Sequence, residues 1–142
     1  MIRTAEEFKQ LRESEIPEEF NRAAREEASI VVWKDILKKY PELAFWVAQN
    51  KSIQIEILIE LAKSPDSNVR CMVARKRKIT YKILDLLKED NDESVRHALI
   101  CNTKVTVEQK MTIRTDDSEW LKKELKEKIK MSKTHTLPTK RP

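Results

Sequence analysis

The sequence predicts an all-α protein, a short α-solenoid of stacked helix pairs with a period of 26 residues. Three observations carry that expectation. Glycine is absent from all 142 residues, whereas a sheet protein of this length needs it at turns and bulges. Glu, Lys, Leu, Ile and Ala dominate, and these are mostly good helix formers. The third observation is an internal repeat. Asn68 to Arg75 (NVRCMVAR) returns as Ser94 to Cys101 (SVRHALIC), 26 residues later.

From the N-terminus, Thr4 to Ser14 reads as a helix with Thr4 and Glu7 at capping-box spacing. Pro17 to Glu27 reads as another, with proline in the favoured first turn. Residues 1–28 are thus expected to cap the stack, and the repeats to fill 29–117. Ile30 to Lys39 (IVVWKDILKK) joins them through Val32, Trp33, Ile36 and Leu37, at a step of about 25. In each later unit the first helix follows an aspartate suited to an N-cap, Asp66 or Asp92. It carries Leu43, Val69, Val95 and Leu121 at one shared position. It stops near Asn50, Lys76 or Asn102, where asparagine can take the left-handed conformation of a helix end. The second helix starts at Gln54, Thr80 or Thr106. Its stripe Ile53, Ile57, Leu58 and Leu61 maps onto Ile79, Ile83, Leu84 and Leu87, then onto Val105, Gln109, Lys110 and Ile113, where the pattern decays. One pair cannot bury such a stripe alone, but stacked pairs can. Residues 118–131 read as a closing helix with Trp120, Leu121, Leu125 and Ile129 inward, making 1–131 a single domain. Residues 132–142 hold two prolines and no pattern, and read as a disordered tail.

The phrases Asp-x-x-Val-Arg-x-x-Val-Ala at 66–74 and Asp-x-x-Val-Arg-x-x-x-Ile at 92–100 resemble HEAT-like repeats. The short unit is similar to the leucine-rich repeat variant group, over about residues 41–115. The resemblance implies a right-handed stack whose concave surface binds macromolecules, and it implies no chemistry. Some leucine-rich repeat variant proteins hold an iron–sulfur cluster on four N-terminal cysteines. No cysteine precedes Cys71 here, so no cofactor is expected. The active-site motif of HEAT-like DNA glycosylases cannot be placed on this chain either.

Charge narrows the function classes. The net charge is +5, yet residues 121–142 alone hold eight basic and two acidic residues, so the remainder is close to neutral. Without glycine there is no Gly-rich phosphate loop. No apolar run reaches a membrane span, and MIRTAEEFKQ lacks the core of a secretion signal. A cytoplasmic location is the expectation. Cys71 and Cys101 lack CxxC spacing, so no disulfide framework or metal site is signalled.

The junctions between paired helices are the candidate binding surface. Aligned positions read Gln49-Asn50-Lys51-Ser52, then Arg75-Lys76-Arg77-Lys78, then Cys101-Asn102-Thr103-Lys104. The four cations at 75–78 read either as a solvated loop or as a patch for an anionic partner. Arg70 and Arg96 share one repeat position and are expected to be structural, pairing with a preceding acid such as Asp66 or Asp92. Trp33 and Trp120 are expected to pack against the N-terminal cap. Trp46, beside Phe45, is the candidate aromatic anchor. Cys71 and His97 share a repeat position and Cys101 lies one turn further, but no orienting carboxylate is evident. The expected function is therefore non-catalytic binding of a protein partner, as an adaptor or inhibitor. Nucleic-acid binding through the basic ridge and the basic C-terminal helix is the alternative.

Overall fold

The computed structural model describes residues 1–136, apart from the side chains of 133–136. It is all-helical; among the described residues, strand-like pairing is confined to an isolated parallel bridge between Ile2 and Ala28. The chain divides into two compact units, Met1–Val73 and Ala74–Pro142.

In the first unit, α1 (Ala5–Glu13), α2 (Pro17–Arg25) and α3 (Ile30–Lys39) precede a 3-10 turn at Pro41–Leu43. Then come α4 (Ala44–Gln49), α5 (Ile55–Leu61) and α6 (Ser67–Ala74), the last ending at the unit border. Local chemistry sets these bounds. Thr4 and Ser29 accept the amides of Glu7 and Val32 and cap α1 and α3, and Pro17 opens α2. The expected capping box at Thr4 is only half made. The Glu7 carboxylate accepts the amide of Arg3, not that of Thr4. Helix α1 packs on α2 and α3. Trp33 is fully buried and meets Phe8 edge to face at 5.4 Å, a favourable aromatic geometry. Ile36, Val47, Ala48, Ile53, Ile57 and Leu58 complete this core.

The second unit contains α7 (Tyr81–Leu87), α8 (Glu93–Cys101), the four-residue α9 (Val107–Lys110) and α10 (Glu119–Thr136). Helix α8 packs against α7 and α10. Asp92 caps α8 through the Ser94 amide, and Thr80 caps α7. A true capping box sits on α9, where Thr106 and Gln109 each satisfy the other's backbone amide. Ile83, Leu87, Val95, Leu99, Ile100 and Leu121 are fully buried. The last helix outruns its expected end at Met131 and continues to Thr136. The rest of the expected tail, 137–142, lies outside the described residues.

Candidate functional site

The two asparagines expected on the binding ridge are structural in place. Asn50 is wholly buried and Asn102 nearly so. The Asn50 amide donates to the carbonyls of Ala23 and Glu26 at 2.8 and 3.0 Å, and its oxygen accepts from the Ser52 amide. The Asn102 amide donates to Ala74 and Lys76 at 2.8 and 2.9 Å, and its oxygen accepts from the Lys104 amide. Neither residue is left-handed, as no residue has positive φ among those described. Their role is to tie each turn to backbone some two dozen residues earlier, where a ligand cannot reach them. This corrects the expected left-handed backbone geometry.

The cations of the ridge remain at the surface. Arg75, Arg77, Lys78 and Lys104 are exposed, and Lys76 is half-buried. Asn102 joins their two turns directly, through the Lys76 carbonyl on one side and the Lys104 amide on the other. Five cations thus sit on two adjoining turns, RKRKIT and CNTKVT, that contain no acid. Arg75 and Arg77 make no ion pair among the described residues. In the first unit Lys51 is exposed, and its amide donates to the Ala24 carbonyl.

Arg96 is 1% exposed and structural, but its acid comes from the following turn, not the preceding one. It donates to both oxygens of Asp117, at 2.7 and 3.0 Å, and to the Arg114 carbonyl at 2.7 Å. That guanidinium holds the Asp117 carboxyl below the usual aspartate range. Asp92, the expected partner, is occupied as an N-cap. Arg70 donates to the Ser64 carbonyl at 2.8 Å.

The tryptophans divide differently from expectation. Trp46 is half-buried, with the Arg12 guanidinium 3.4 Å over its ring and Phe45 perpendicular to it, so that face of the candidate anchor is already covered. Trp120, expected inward, is 47% exposed and stacks on His97 with centroids 4.4 Å apart.

The carboxylate that sequence reasoning did not find beside His97 is Glu124. Its oxygen lies 2.9 Å from His97 Nε2, and Cys101 Sγ lies 3.4 Å from the same nitrogen. A signal was present: a step of 26 from His97 reaches Lys123, the neighbour of Glu124 on α10. No group of three or more His, Cys, Asp or Glu residues placed to hold a metal ion occurs among the described residues. Three surface clefts, of about 400 to 510 Å³, are lined by neither cysteine nor histidine. Comparison with protein-family models, curated proteins and solved structures finds no match.

Proposed function

We propose that the chain is a short α-solenoid of HEAT-like character, a non-catalytic cytoplasmic module whose basic ridge binds an acidic protein. Helix spacing supports the architecture. Helices α5, α7 and α9 begin at residues 55, 81 and 107, and α6 and α8 at 67 and 93. The equivalent residues Asn50 and Asn102 also make equivalent bonds. Among the described residues no helix is long and apolar enough to cross a membrane.

One observation carries the binding reading: Arg75, Lys76, Arg77, Lys78 and Lys104 lie on two hydrogen-bonded turns without an acid. Arg75 and Arg77, exposed and without an ion pair among the described residues, are the cations an anionic partner would pair with. The cluster is compact. Along α10 lysines alternate with Glu119, Glu124 and Glu127, and Lys122 pairs with Glu119 at 3.1 Å. Nucleic-acid readers usually extend their cations along a stripe, so an acidic protein surface fits better than a phosphate track.

Fluorescence anisotropy with labelled polyglutamate and a labelled DNA duplex of equal charge tests this. Polyglutamate is expected to bind, and Arg75→Glu/Arg77→Glu to weaken the binding about tenfold or more. Tighter DNA binding, falling about a hundredfold or more between 50 and 200 mM salt, would replace this reading with the nucleic-acid one.

A further inference from the structure

The second unit gathers four reactive or charged groups that the binding reading does not use. Cys101 is exposed at the end of α8. His97, one helical turn back, places Nε2 at 3.4 Å from its sulfur. Glu124 on α10 accepts the Nε2–H at 2.9 Å, which leaves Nδ1, 4.0 Å from the Cys101 sulfur, as the proton-accepting nitrogen, and Trp120, also on α10, stacks on the ring. The imidazole is thus fixed from two sides against the thiol, as a positioned base is.

Lys110 is the second, independent observation. It is 5% exposed at the register of Leu58 and Leu84, two core leucines. No acid pairs with it among the described residues. Burial pushes its amine below the usual lysine range; the Cys101 thiolate opposes that shift and Lys128 adds to it. A lysine in a leucine position is costly for the core.

We propose that Cys101 is a peroxide-reactive thiol, with Nδ1 of His97 as its base and Glu124 positioning that base through Nε2–H. With Nε2–H donated to Glu124, Nδ1 of His97 takes the Cys101 proton. The sulfur electron pair attacks one oxygen of hydrogen peroxide and the O–O bond breaks. The departing hydroxide recovers the proton from His97 as water. Cysteine is oxidised to sulfenic acid while peroxide is reduced to water.

Cys71, half-buried at the repeat position of His97, is an internal control in the same chain. The full protein is exposed to hydrogen peroxide, trapped with dimedone and read by peptide mass spectrometry. Cys101 is expected to label about tenfold or more faster than Cys71. His97→Phe, which keeps a ring against Trp120, is expected to bring the Cys101 rate down to that of Cys71 and leave Cys71 unchanged. Glu124→Gln is expected to slow Cys101 several-fold and decides the matter if His97→Phe does not fold. Equal labelling of the two thiols overturns the proposal. So does a Cys101 rate that neither substitution changes, since exposure alone would then explain it.

Discussion

Asn102 satisfies every polar atom of a buried amide: two N–H donors on the Ala74 and Lys76 carbonyls, one oxygen on the Lys104 amide. Such satisfaction is the condition for burying it at all. Asn102→Ala removes all three bonds and is expected to cost about 2–4 kcal/mol. Asn102→Asp keeps the shape but turns a carboxylate oxygen toward two carbonyls, and is expected to cost more. Urea unfolding midpoints check the order, and an aspartate variant as stable as the parent would show that the amide bonds carry little. Arg96 gives a second residue-scale prediction. Its fork on Asp117 lowers that carboxyl, so the native state binds this proton less readily than the unfolded chain does. The resulting stability is present above the ordinary aspartate value of 3.8 and is lost as pH falls through the lower folded value. Asp117→Asn should therefore lower the melting temperature at neutral pH and converge with the parent in acid. Asp116→Asn, at an 82% exposed neighbour, should change neither limb.

Helices were the legible part of the sequence because their signals are local. The residues read as starts, Gln54, Thr80 and Thr106, are the observed N-caps of α5, α7 and α9. Local signals failed where a side chain had a competing partner. Glu7 matched the capping box by spacing but bonded to Arg3. Trp120 matched an inward stripe, yet it lies across His97 with nearly half its surface exposed. Helix α9 shows the remaining kind of departure: its stripe decays at Gln109 and Lys110 in the sequence, and it is the shortest α-helix described. Lys110 is the physical cost of that decay. Its folded-state value is lowered from 10.5 by burial, so the unfolded chain binds this proton more tightly. The penalty is therefore full below the folded value and is lifted as pH rises toward 10.5. Lys110→Met is expected to raise the melting temperature at neutral pH and to remove that alkaline gain. A variant less stable than the parent throughout would mean that the ammonium finds adequate solvation in place.

At the scale of the whole molecule, the candidate site was legible in one half only. A run of four cations is visible in any sequence, and the repeat placed Lys104 in register with it. The partners of Asn50 and Asn102, the Asp117 fork and the Glu124 carboxylate were not visible, because each depends on which face a distant turn presents. The net charge of +5 poses a separate question, since any polyanion is drawn to a basic chain of sequence pI about 9.2. Local and global attraction can be separated by two double reversals that change the net charge equally. Arg75→Glu/Arg77→Glu alters the acid-free turns, and Lys123→Glu/Lys126→Glu alters exposed positions on α10, where glutamates alternate with lysines. A general field would make the two pairs equivalent. Recognition by the turns predicts that the first pair weakens polyglutamate binding about tenfold or more, while the second stays within about threefold of the parent. Anisotropy titrations at low salt measure both. Equal losses would assign the attraction to the summed charge of the chain and leave the ridge without a binding role.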